Sequence, residues 1–166
     1  LYNDPILALD RLVAEGRLGA VRDIDVFLSL DLTAGPFGDP NLAGPGVALP
    51  GGAVHDFLPH LAYLFLHFAD HHGPVDSVAG HLVNASGTPR VGFDQLEALV
   101  RVGEVRGRLR VASDLSPDAF RIRLRGTAGS AETDVYNPYI RLEGGRLTGK
   151  RAPIEQLLSG SRLAAA

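Results

Sequence analysis

Residues 93–126 read FDQLEALVRVGEVRGRLRVASDLSPDAFRIRLRG, and this stretch decides the fold. Apolar and polar side chains alternate along it with a period of two, the signature of strands with one buried face. Strands are expected over 93–102, 105–113 and 119–126, with Gly103-Glu104 as the tight turn of a hairpin between the first two. Working outward, 76–84 reads as a strand before them, and 130–136 and 139–143 as shorter strands after them.

Upstream the pattern changes. NDPILALDRLVAEG (3–16) predicts a helix with both ends marked: Asp4 as N-cap, Pro5 at the first helical position and Gly16 as C-terminal cap. Ile6, Leu9, Leu12 and Val13 form its apolar stripe. VRDIDVFLSLDLT (21–33) alternates again, with Ile24, Val26, Leu28, Leu30 and Leu32 on one face. Asp23, Asp25, Ser29 and Asp31 share the other face with Phe27. Residues 34–51 are a Gly/Pro-rich loop too long for a plain connection.

Behind that loop, GGAVHDFLPHLAYLFLHFAD (51–70) opens a second helix running to about Asp70. Pro59 lacks an N–H, so the regular helix is expected to begin only just before it. Pro153 is expected to open a final helix. Helix, strand, helix, consecutive strands, helix is the order of an α+β domain. It predicts an open-faced, predominantly antiparallel (mixed) sheet with helices packed on one face, formed as one domain over 1–166.

Composition excludes more than it assigns. With 166 residues and 45% hydrophobic content, the chain can bury a core without staples. There is no cysteine, so disulfides and thiolate chemistry are out. A net charge of −3 gives no global attraction to nucleic acid or anionic membrane. No run reaches the roughly 18 apolar residues of a membrane span, and nothing at the start reads as a signal peptide. The chain begins Leu1-Tyr2 and contains no methionine, so an excised or processed piece of a longer protein is expected.

Three groups of residues carry chemistry. His67 and His71 are four apart and share a helix face, but no acid-rich segment completes a shell, and no metal is assigned. Arg106, Arg108 and Arg110 alternate along one strand, and Arg121, Arg123 and Arg125 along another; neighbouring strands would line up these guanidinium groups on one sheet face. The face is then a basic surface for nucleic acid or phosphorylated ligands, or else an outer face paired with acids such as Asp23, Asp25 and Asp31, or a subunit interface. The acidic net charge and the single lysine, Lys150, favour pairing or an interface. Asp56 and His60 are four apart on the second helix, near its expected first turn. A carboxylate beside an imidazole makes a general base near neutral pH; a capping aspartate with a core histidine fits the periodicity equally well.

Several of these stretches together resemble the C-terminal domain of the Gfo/Idh/MocA oxidoreductase family, which includes glucose–fructose oxidoreductase and inositol dehydrogenase. DRLVAEGRLGAVRDIDVFLSLD looks like the family's helix, turn and first strand, and GGAVHDFLPHLAYLFLHFAD is similar to its GG-x-x-x-D-x-G-x-H helix entrance. GPVDSVAGHL, RVGEVRGRLRVAS and RLRGTAGSAETD resemble the strands that follow. The resemblance implies a substrate-binding and oligomerisation domain of an NAD- or NADP-dependent oxidoreductase acting on a sugar or polyol hydroxyl. In that reading His60 takes the hydroxyl proton while hydride leaves the same carbon for the nicotinamide, and Asp56 orients the histidine or holds a neighbouring hydroxyl.

Gly51, Gly52 and His55 are assigned to the substrate side, His55 without a catalytic part. The family's N-terminal Rossmann domain, with its Glu-Lys-Pro lysine, has no counterpart in this chain, so no cofactor is expected to bind it alone. The family also implies a cytoplasmic homo-oligomer assembled through the open sheet face, without nucleic-acid or membrane partners. Leu58 stands where the family pattern has glycine. The alternative is a non-catalytic binding or assembly module that works through the arginine-rich face.

Overall fold

A computed structural model describes residues 3–32, 39, 41, 49–87 and 91–144. The final helix expected from Pro153, Lys150 and most of the 34–51 loop lie outside the described residues. The rest is an α+β layer pair. A seven-stranded sheet runs in the order β2-β3-β4-β1-β5-β6-β7, built from β1 (Val21–Ser29), β2 (Ser77–Val83), β3 (Gln95–Val102), β4 (Val105–Ala112), β5 (Ala119–Gly126), β6 (Gly129–Asp134) and β7 (Ile140–Gly144). Only β1 and β4 pair in parallel; every other neighbouring pair is antiparallel. The mixed, mainly antiparallel sheet is therefore as the order of elements predicts.

Register turns alternation into a core. Ile24, Val26 and Leu28 stand opposite Gly107, Leu109 and Val111 on one side, and opposite Leu124, Ile122 and Phe120 on the other. Leu96, Ala98 and Val100 of β3 and Ala131 of β6 extend the same face, and all of these apolar residues are buried. Each fully buried Val, Leu or Ile side chain contributes on the order of 1.5–3 kcal/mol. Against this face lie α1 (Asp4–Ala14) and α2 (Gly52–Ala69), α1 over β6 and β7 and α2 over β1, β4 and β3. Gly107 is what lets α2 come down on β4, because a Cβ there would collide with the Phe65 ring.

The helix ends follow the sequence with one correction. Gly16, at φ +68°, ends α1 as predicted, its N–H bonding Val13 O while Arg17 N–H bonds Leu12 O. The N-cap is Asn3 and not Asp4: both Ile6 and Leu7 donate to Asn3 O, and Asp4 sits inside the first turn, where its charge meets the helix dipole. β1 is shorter than its alternation suggested, closing at Ser29. Beyond it Leu30 and Leu32 remain tied to the end of β4 through Ala112 O and Ser113 O.

One buried carboxylate organises the connection between β2 and β3. Asp94 is 1% exposed, and its two oxygens accept the N–H groups of Ala85 (2.7 Å) and Ser86 (2.9 Å). Burial pushes its pKa up, but the hydrogen bonds from Ser86 and Ala85 outweigh it and hold the group below the ordinary carboxylate value. A depressed folded pKa means that Asp94 stabilises the fold fully above the unfolded carboxylate pKa of about 3.9, and that this contribution is lost as the pH falls through the lower folded value. Asp94→Asn should therefore cost about 1–3 kcal/mol at pH 7, since an amide nitrogen cannot accept the second N–H. Urea melts should find the gap between variant and parent narrowing as the pH is taken below 4; a constant gap would remove the ionised carboxylate from the account.

Candidate functional site

The entrance of α2 is built by a backbone crossing. Gly52 has φ +63° and Gly92 φ +60°, and a Cβ on Gly52 would collide with the Val91 carbonyl. That close approach lets Ala53 N–H bond Val91 O (2.9 Å) and Val54 N–H bond Phe93 O (3.0 Å), so the first free donors of the helix are satisfied by the segment leading into β3. Regular helix therefore starts at Gly52, earlier than the expectation that it begins just before Pro59. Pro59 lies inside the helix and exposed, where its ring removes one bond and leaves the His55 carbonyl without its helical partner. Asp56 and His60 accordingly lie beyond the first turn and not in it.

The flanks of α2 differ in chemistry. Val54, Leu61, Leu64, Phe65 and Phe68 face the sheet and are buried. Asp56, His60 and His67, spaced four and seven apart, run along one flank. That flank faces α1, because His67 Nε2 meets Asp10 Oδ1 at 2.7 Å. His60 is exposed and Asp56 half-buried. Among the described residues the Asp56 carboxylate does not bond the His60 ring. The ring that His60 meets is Tyr63, with centroids 6.1 Å apart and planes at 73°. Tyr63 was missed by the sequence reading, although its place three residues after His60 on a helix is the signal that finds it. Gly51 packs against His55, which is exposed on the solvent side.

The opposite flank is apolar. Leu58, Ala62 and Leu66 border a groove of about 380 Å³ completed by Val78 and Leu82 of β2. Leu58, the departure from the family's glycine, thus points to this groove, which offers nothing to a hydroxylated ligand. His67 is engaged with Asp10 while His71 lies in the short 3-10 turn Asp70–His72, and among the described residues no cluster of three metal-ligating side chains forms.

On the far face of the sheet the two arginine strands are not neighbours: β1 lies between them. Asp23 pairs with Arg125 and, at 3.9 Å, with Arg106; Asp25 holds Arg110 at 3.1 Å, and Arg110 also lies 4.8 Å over the Phe27 ring. Beyond β5, Arg121 meets Asp134 and Arg123 meets Glu132 and Glu143. Around β1 and β5 the guanidinium groups thus alternate with acids, as the paired reading expected of Asp23 and Asp25, while Arg108 stands opposite Leu99 and makes no ion pair among the described residues. Such pairs at a part-exposed face are worth about 0–1 kcal/mol each, so they neutralise the face more than they stabilise it.

A family model described as GFO/IDH/MocA C-terminal domain matches residues 6–132. None of the curated proteins compared matches the sequence. Among solved structures, the chain is similar to the WlbA dehydrogenase of Bordetella pertussis in complex with NADH and UDP-GlcNAcA, with TM-score 0.67 and 18% identity over 91% of this chain and 46% of that one. A myo-inositol dehydrogenase from Corynebacterium glutamicum gives 0.64 and 15% over 80% and 38%. An inositol dehydrogenase homolog from Azotobacter vinelandii, complexed with NADH and myo-inositol, gives 0.58 and 14% over 89% and 41%. At these identities the likeness is one of fold, and the chain spans less than half the length of each of these structures.

The interior proline gives a direct physical check of the entrance. Pro59→Ala restores the N–H that bonds the His55 carbonyl, and should raise stability by about 1–3 kcal/mol, since proline in a helix interior costs about 3 kcal/mol relative to alanine. Equilibrium denaturation measures it; an unchanged or lowered midpoint would mean that the helix is not continuous through residue 59.

Proposed function

The chain belongs to the GFO/IDH/MocA C-terminal domain family, and from that premise we propose that it is the substrate-binding half of a nicotinamide-dependent oxidoreductase acting on a sugar or polyol hydroxyl. The observation that carries the reading is the pairing of family position with exposure. Asp56 and His60, which the resemblance to the family's helix entrance puts at its aspartate and histidine positions, lie on the flank of α2 that the sheet leaves uncovered, and His60 is open to solvent. A histidine kept for packing would face the core with Leu61 and Leu64.

In this reading the described residues do not hold the dinucleotide. The free N–H groups at the start of α2, which would suit a pyrophosphate, are committed to Val91 and Phe93. In this reading NAD or NADP belongs to a Rossmann half outside this chain, and the chain works on the substrate. His60 accepts the proton of the hydroxyl on the carbon being oxidised. Asp56, unbonded to the imidazole, accepts a hydrogen bond from a neighbouring substrate hydroxyl. His55, Gly51 and Gly52 border that end of the site.

Assembly belongs to the same proposal. The uncovered sheet face, with Leu99 59% exposed among alternating acids and arginines, suits a second copy whose charges interleave with its own. The same alternation disfavours the nucleic-acid module, because five of the six arginines, Arg108 excepted, meet an acid among the described residues.

His60→Ala in the full-length enzyme should lower kcat/KM by about 10²–10⁴-fold, the usual worth of a positioned acid–base group. A near-parental rate in a folded variant would assign His60 to structure. Calorimetric titration of NADH and NADPH into the 1–166 chain should give no heat of binding at micromolar concentrations, and micromolar affinity would place the cofactor site in this domain.

A further inference from the structure

Resting on the assignment of His60 and Asp56 to the substrate, we infer that Tyr63 is the specificity-determining residue of this site, a platform that selects ring-shaped sugars and cyclitols over open-chain polyols. Tyr63 lies one turn after His60, and its ring stands against the imidazole at 6.1 Å between centroids. It is 41% exposed in the middle of a helix whose other aromatic side chains, Phe65 and Phe68, are buried, with Phe57 half-buried against the core. The other described tyrosines are committed elsewhere: Tyr139 donates its hydroxyl to Glu132 at 2.6 Å, and the Tyr136 ring lies against Phe120. Among the described residues the ring paired with Tyr63 is that of His60.

The chemistry of the ligand follows from this arrangement. A six-membered sugar or cyclitol has hydroxyls around its rim and a face of C–H bonds, and an aromatic ring offers that face an apolar, polarisable surface. Asp56 and Tyr63 are seven residues apart on one helix, about 10 Å along its axis, with His60 between them. A ring lying on Tyr63 turns its rim towards His60 and Asp56, which handle one hydroxyl and its neighbour. An open-chain polyol has the hydroxyls but no such face, so it loses nothing when the platform is removed. The apolar groove on the other flank of α2 supplies no rim partners and does not compete for this ligand.

The test uses the full-length enzyme with one cyclic substrate and an acyclic hexitol, the latter as substrate or competitive inhibitor. Tyr63→Ala should raise KM for the cyclic compound by about tenfold, the effect of losing one aromatic contact. The hexitol constant should stay unchanged, as should kcat and its pH profile; Tyr63→Phe should keep most of the parental KM. Tyr63→Leu repeats the comparison should the alanine variant melt early. Equal losses on both ligands, a shifted pH profile with lowered kcat, or no change in KM would each overturn the platform role. His60→Ala, measured in parallel, separates the two readings: an unaffected rate there removes the base assignment, while the platform stands or falls on the cyclic-to-acyclic ratio alone.

Discussion

The structure depends on where β1 goes. The first strand in the sequence takes the centre of the sheet, parallel to β4 and antiparallel to β5. Its apolar residues then lie at the middle of the helix-covered face, and its aspartates between two columns of arginine on the other. Were β4 and β5 adjacent, like charges would stand directly opposite one another, which destabilises a sheet. Inserting Asp23 and Asp25 removes that conflict without a desolvated charge, since these pairs keep part of their exposure.

The centre of the sheet in turn seats α2. The missing side chain of Gly107 accepts the Phe65 ring, and the Gly52–Gly92 crossing fixes the start of the helix. With both held, the rotation of α2 about its own axis is set. One flank, carrying Asp56, His60 and His67, turns towards α1; the other, carrying Leu58, Ala62 and Leu66, turns towards β2. The distinction between a polar flank and an apolar flank beside the edge strand comes from that rotation and not from any local preference of these residues.

Much of this was legible beforehand. Strand positions from 76 to 143 were visible because a half-buried strand imposes a period of two on its own residues. Gly16 was visible because ending a helix requires a left-handed residue locally. The helix entrance was harder to read. Pro59 argued locally for a late start, and that argument lost to hydrogen bonds supplied by Val91 and Phe93, nearly forty residues downstream. Tyr63 was missed because an aromatic residue at helical spacing reads as core until the facing side of the helix is known.

The sequence by itself determined the element types, the α+β class and the presence of Asp56 and His60 on one helical face, because each rests on periodicity within a single segment. Tertiary structure alone decided that β1 would separate the arginine strands, that α2 would begin at Gly52, and that the flank of α2 carrying Asp56, His60 and Tyr63 would be the one turned away from the sheet. Each of those outcomes depends on strand order, on backbone partners distant in the chain, or on the rotation of a helix over a sheet. These are properties of how segments meet, and no segment carries them alone.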